Sequence, residues 1–232
     1  MDHVEIARAE TERGELVLSE RRDENAPAAL ELRVNGVFVM DTVEVATERA
    51  LASAALAVVD EPRAVVVGGL GLGYTMHEVL ADSRVEKCAV VEIEESLVGW
   101  MRDGTVPHGP ALLADERVTV VAADIAVAMA EARPETYDLV LLDVDNGPGY
   151  LVHEGNARLY ERAFLRTVRA ALRPGGALVV WSAAEAPELE SALGSVFDEV
   201  DVRRHDVRLQ DRDEQYLLYV ARPTQDPAQD PV

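Results

Sequence analysis

The chain has 232 residues and 48% apolar content, enough to build one α/β domain with a small appendage and too apolar for wholesale disorder. It carries 22 Lys and Arg against 43 Asp and Glu, a net charge of −21, which repels phosphate backbones and anionic lipid and so argues against nucleic-acid and membrane-surface binding. No apolar run reaches the ~18 residues of a membrane span, and the acidic start MDHVEIARAE lacks the pattern of a secretory signal, so the expected address is the cytoplasm.

The first sixty residues form a small β unit. Glu15–Glu20 and the alternating Leu30-Glu31-Leu32-Arg33-Val34 read as strands. Asn35-Gly36 then precedes Val37–Met40, and Asn-Gly between β-rich runs marks a hairpin whose turn needs positive φ at both positions. A helix is expected over Thr42–Val58.

From Arg63 strands and helices alternate. Strands are expected at Ala64–Val67, Lys87–Glu92, Val118–Val121, Tyr137–Asp143 and Ala177–Trp181. Helices are expected at Tyr74–Ala81, Glu94–Arg102, Ile125–Ala132, Asn156–Leu172 and Glu185–Leu193, the long one stopped by Pro174-Gly175-Gly176. Strands this rich in Val, Leu and Ala, with helices between them, predict a mostly parallel sheet covered on both faces. Val196–Val202 and Gln215–Ala221 close as an antiparallel edge hairpin. The division is residues 1–60 for the β unit and linking helix, 61–222 for the α/β domain, and a disordered tail, 223–232, marked by PTQDPAQDPV. The single cysteine, Cys88, permits no internal disulfide and is expected to be buried in its strand.

Four strand ends carry ligand-suited residues. Gly69-Leu70-Gly71-Leu72-Gly73 lies between a strand and a helix, where glycine lets backbone approach a ligand. It has no basic residue and its third glycine comes one position early, so it is neither a P-loop nor a dinucleotide fingerprint. Glu92 ends the next strand, 19 residues after Gly73, and a carboxylate there can accept from both hydroxyls of a ribose. Asp124-Ile125 follows the third strand; the Asp either bonds an adenine amino group, with Ile125 on the ring, or caps the next helix. Asp143-Val144-Asp145-Asn146-Gly147-Pro148-Gly149-Tyr150 ends the fourth. In an open parallel sheet ligands bind at these carboxyl ends, so the four together predict a nucleoside site. Tyr150, His153 and Asn156 follow in a loop that either covers a second reactant or plays a purely structural part. The scattered histidines His77, His108, His153 and His205 show no metal-ligand spacing, and no metal is expected.

Val65-Val66-Val67-Gly68-Gly69, Val91-Glu92-Ile93-Glu94, Ala123-Asp124, Leu142-Asp143 and Leu172-Arg173-Pro174-Gly175-Gly176 together resemble the class I S-adenosylmethionine-dependent methyltransferase fold, in its spermidine synthase (aminopropyltransferase) branch. The similarity extends to the N-terminal β unit. The resemblance implies a Rossmann-like sheet, a donor of the S-adenosylmethionine or decarboxylated S-adenosylmethionine type, and a homodimer. It implies donor contacts from Gly69, Gly71, Gly73, Glu92, Ile93, Asp124 and Ile125. Asp143 would deprotonate or orient the attacking amine, and Asp145, Asn146 and Tyr150 would lie on the acceptor side.

Three departures stand out. Gly71 replaces the Asp of the family's Gly-Gly-Gly-Asp-Gly loop, which faces the aminopropyl amine. Asn146 stands where the family's fourth-strand motif has its second Asp, or that Asp has slid to Asp145. Ala46-Thr47-Glu48 replaces Tyr-His-Glu. The expected activity is aminopropyl transfer to a small cationic, polyamine-like acceptor. The alternatives are methyl transfer to a small molecule, and a non-catalytic relative that binds the nucleoside.

Overall fold

The computed structural model describes residues 2–23, 26–145, 147–209 and 212–224. Asn146 therefore lies outside the described residues, and so does the expected tail beyond Thr224. Four antiparallel strands open the chain in the order β1 (Asp2–Thr11), β2 (Gly14–Asp23), β3 (Ala26–Val34), β4 (Val37–Asp41). Asn35 and Gly36 have φ of 52° and 75°, the hairpin conformation their dipeptide predicts. β1 was not foreseen. Its apolar Val4 and Ile6 are exposed, so no buried stripe distinguishes it in the sequence. Leu16, Leu18, Leu32 and Met40 on the other strands join the main core.

The first helix, α1 (Ala46–Leu56), starts four residues later than expected. Asp41 Oδ1 accepts from the amides of Val43 and Glu44, both at 2.8 Å, and this turn holds the intervening chain out of the helix. The α1 helix packs chiefly against α2 (Tyr74–Ala81) and the large sheet rather than against the β unit with which the sequence reading grouped it.

The large sheet runs β10-β11-β9-β8-β5-β6-β7. Strands β5 (Ala64–Gly68), β6 (Lys87–Glu92), β7 (Val118–Ala122), β8 (Tyr137–Leu142) and β9 (Leu172–Ser182) pair in parallel. β10 (Glu199–Leu209) and β11 (Arg212–Arg222) add antiparallel at one edge, as the sequence predicts. Alternate residues serve opposite faces: Val65, Val67, Cys88, Val90, Leu139 and Leu141 belong to one buried cluster, Val66, Val91, Val140 and Leu142 to the other. The strand order reverses between β5 and β8, so a crevice forms at their carboxyl ends.

The remaining helices are α3 (Glu95–Asp103), α4 (Gly109–Leu113), α5 (Ile125–Glu131), α6 (Arg162–Ala171) and α7 (Pro187–Gly194). The expected helix Asn156–Leu172 is two elements, a 3-10 helix over Glu154–Tyr160 and then α6, with Glu161 extended between them. Leu159 lies five residues before Phe164, about 140° around a continuous α-helix, and both are buried; the break lets both reach the core. β9 begins earlier than expected because Pro174-Gly175-Gly176 sits in a bulge: Tyr137 pairs with Leu172, and Leu139 next with Ala177. A bulge is where a strand tolerates proline. Among the described residues no helix is long and apolar enough to cross a membrane.

Candidate active site

Two cavities meet at the switch between β5 and β8. They share Val39, Gly71, Asp143 and Asp145. The narrower, about 130 Å³, lies over Gly69, Glu92, Ile93, Asp124 and Ile125. The wider, about 540 Å³, lies between β4, α1, the loop after β8, and the strand ends bearing Trp181 and Tyr216.

The glycine turn floors the first cavity. Gly69 has φ +96°, and a Cβ there would sit 2.0 Å from the Asp143 carbonyl oxygen, so the close approach of β5 to β8 requires glycine. Gly71 has φ +48°, and a Cβ would meet Met40 Sδ at 2.7 Å. Met40 fills the space a side chain at this position would enter, and its sulfur accepts from the Leu72 amide at 3.1 Å. Gly73 lies apart from the cavity. It caps α2, and a Cβ would strike Met101 and Leu112.

Glu92 is buried at the end of β6. Its Oε2 accepts from the Leu70 amide and its Oε1 from the Glu94 amide, each at 2.8 Å. Burial pushes its pKa up, and the two amides oppose that. Each oxygen keeps a further lone pair for a ligand. Arg13, in the β1–β2 turn, donates to Glu94 Oε1 at 2.7 Å and to the Ile93 carbonyl at 2.8 Å. The β unit is thereby clamped over the cavity, and Leu16, Leu32 and Val34 line its roof. Sequence reading missed Arg13, because its partner lies 81 positions away.

Asp124 caps α5, accepting from the Ala126 amide at 2.8 Å, and also pairs with Arg158 of the 3-10 helix. Both it and Ile125 line the first cavity. Of the three loop residues assigned to cover the second reactant, only Tyr150 lines the wider cavity, and it is 62% exposed. His153 and Asn156 line the narrower one instead. The loop turns back because Asp145, at φ +56°, accepts from the Val152 amide at 2.9 Å and from Asn156 at 3.0 Å.

Asp143 stands at the junction. Thr75 Oγ1 donates to its Oδ2 at 2.6 Å. Burial pushes its pKa up to about 6. Glu48 of α1, also lining the wider cavity, is pushed to about 7 by burial and by the negative charge of Asp143. Two carboxyls are thus held close with no Lys or Arg among the described residues lining either cavity. The Asp145 Oδ2, His153 Nε2 and Trp181 Nε1 atoms are buried without partners.

The strand order and the residues at four strand ends define a class I methyltransferase-type fold. A spermidine synthase crystal structure in complex with the transition state analogue AdoDATO superposes on it with a TM-score of 0.80 at 18% identity, covering 97% of this chain and 76% of that one. The family model "Spermine/spermidine synthase domain" matches residues 44–203, and the chain belongs to this family. Among curated relatives, polyamine aminopropyltransferase 2 of Pseudomonas aeruginosa is 34% identical over 125 residues, 52% of this chain and 34% of the relative. Putrescine N-methyltransferase 2 of Nicotiana tabacum is 35% identical over 130 residues, 55% of this chain and 34% of the relative. The match spans about a third of the length of these relatives.

Proposed function

We propose that the protein transfers an aminopropyl group from a decarboxylated S-adenosylmethionine-type donor to a small cationic amine. The observation that carries this is the Asp143–Glu48 pair at the junction of two cavities, with no Lys or Arg among the described lining residues. A donor bearing a carboxylate tail would find no cationic partner there, whereas an ammonium tail and an ammonium acceptor both suit the acidic junction. The narrower cavity suits the nucleoside: Glu92 for the ribose hydroxyls, Ile93 and Ile125 against the base, Asp124 at its edge. The named relatives act on polyamines or putrescine, which agrees with a cationic acceptor.

When bound, such a donor supplies a sulfonium carbon open to in-line displacement: the new C–N bond forms as the C–S bond breaks, its electrons going to sulfur, and the neutral thioether leaves. The protein's part is alignment and proton removal. Glu48 and Asp143 hold the ammonium, and Asp143 accepts its proton and presents the lone pair. Thr75 fixes the carboxylate that does this.

A second reading, methyl transfer, draws on one feature: Gly71, with Met40 against it, leaves the glycine turn without the carboxylate that family members aim at the aminopropyl amine. Calorimetry with S-adenosylmethionine, its decarboxylated form and methylthioadenosine separates the readings. Preference for the decarboxylated donor is expected; binding of S-adenosylmethionine alone would end the aminopropyl reading, and binding of none would end both. A homodimer belongs to the same proposal, supported by the exposed Val4 and Ile6 on edge strand β1; light scattering would report twice the 25.3 kDa chain mass.

A further inference from the structure

The chain is only 5% aromatic, yet Phe38, Tyr150, Trp181 and Tyr216 all line the wider cavity. Two of them form a corner. Trp181 of β9 and Tyr216 of β11 have ring centroids 5.1 Å apart and planes at 47°, and each is half-buried. The indole nitrogen is buried, so Trp181 offers the cavity ring carbon rather than its N–H. The sheet fixes where this corner lies. Leu142 pairs with Val180, which puts Trp181 level with Asp143. Leu217 pairs with Ser182, which puts Tyr216 at the same end, one strand farther out. At the ~4.8 Å spacing of strands, the two residues stand about 5 and 10 Å to the side of Asp143. The carboxyls of the cavity come from other elements: Asp143 and Asp145 from the end of β8, Glu48 from α1 and Glu44 from the residues before it. Phe38 already faces the Arg33 guanidinium at 6.0 Å, which leaves Trp181 and Tyr216 as the rings beside Asp143.

We propose that the acceptor carries, away from its reacting amine, an alkylated ammonium held on the faces of Trp181 and Tyr216. The substrate class is then N-alkylated diamines, ahead of primary diamines and monoamines, and the two rings are specificity-determining residues. This rests on the reading that the wider cavity takes an amine. The four carboxyls, with no Lys or Arg among the described lining residues, favour a second positive charge over a neutral tail. The rings decide its form. A primary ammonium is compact and strongly hydrated and has three N–H donors to satisfy, and an aromatic face is a poor substitute for that hydration. Each alkyl group removes one of those donors and adds carbon that packs on the rings, while the charge still draws on the ring quadrupole.

The test is a titration series on the full chain saturated with methylthioadenosine. The probes are primary amines with a spacer of three to five carbons that ends in a second primary ammonium, in trimethylammonium, or in tert-butyl, its uncharged carbon isostere. At the best length the trimethylammonium amine should bind at least about fivefold more tightly than either of the others. In Trp181→Leu the three should bind about equally, whereas Trp181→Phe, which keeps a ring face, should retain part of the preference. Tyr216→Leu makes the same test from the second ring. Equal or tighter binding of the primary diamine by the wild type at every length would overturn the proposal without any variant. Equal binding of the tert-butyl amine would overturn it too, since the wall would then act only as an apolar surface. A preference unchanged in both leucine variants would overturn it as well. A parallel transfer assay separates the two levels: amines alkylated without preference for the quaternary end refute this inference alone, whereas failure to bind or alkylate any amine refutes the proposed function too.

Discussion

The proposed donor and acceptor cavities share Val39, Gly71, Asp143 and Asp145 and differ in how they are built. The donor side is braced by backbone: Glu92 accepts two amides, Asp124 caps α5, and Gly69 lets β5 and β8 close on each other. The acceptor side is a wider chamber of carboxyls and aromatic rings collected from β4, α1, the loop after β8, β9 and β11. A site held by main-chain bonds cannot shift far without unpairing the fold. Side chains gathered from five places can be exchanged singly. The contrast fits the placing of the family motifs: Glu92, Asp124 and Ile125 line only the narrower cavity, while of the departures Thr47 and Glu48 line only the wider one and Gly71 lines both.

Single substitutions separate the two cavities. Asp143→Asn should give the largest effect, a fall in kcat of about 10²-fold or more, while donor affinity measured by calorimetry stays within about threefold. An equal loss in both would make Asp143 a binding residue instead. Glu92→Ala should weaken nucleoside binding at least about tenfold and, by leaving the Leu70 and Glu94 amides without their acceptor, lower stability by about 1–3 kcal/mol; denaturant melts and titrations check the two parts. Unchanged affinity would remove the ribose assignment.

Acidity sharpens the contrast further. Asp143, ordinarily near 3.8, stands at about 6, and Glu48, ordinarily near 4.5, at about 7. The folded chain therefore holds these protons more tightly than the unfolded one. The stability they contribute is complete below about pH 4 and is lost as pH rises through 6 and 7. Ligand-free protein should show this decline in thermal melts, and Glu48→Gln should flatten it. Amine affinity and kcat/KM should move the other way, rising across the same window as the carboxyls ionise. A flat profile would remove the acid pair from the account. The smallest effect is expected from Arg13→Ala, which frees the β unit from Glu94 and the Ile93 carbonyl. A loss of donor affinity of a few-fold, about 1 kcal/mol, is the expected scale for a partly exposed pair.

The lining of the narrower cavity and the sheet were legible because their signals are local. Valine-rich strands, a glycine turn after the first of them and acidic residues at the ends of others occupy short windows, and strand β6 and helix α2 fall within the bounds expected. The acceptor chamber was less legible because Glu48, Met40, Trp181 and Tyr216 meet only through tertiary packing. Gly71 reads in sequence as a lost carboxylate; only the fold shows Met40 filling its place. The break at Glu161 was hidden for a related reason, since each half of Asn156–Leu172 carries acceptable helical spacing and the conflict between Leu159 and Phe164 appears only once both must be buried.

In the proposed reaction an acidic junction joins a decarboxylated nucleoside donor to a cationic amine. Its most direct test offers the protein S-adenosylmethionine and decarboxylated S-adenosylmethionine together with an amine acceptor, and identifies the products by mass spectrometry. The expected product is an aminopropylated amine with methylthioadenosine as co-product. A methylated amine with S-adenosylhomocysteine, or no product while both nucleosides bind, would contradict it.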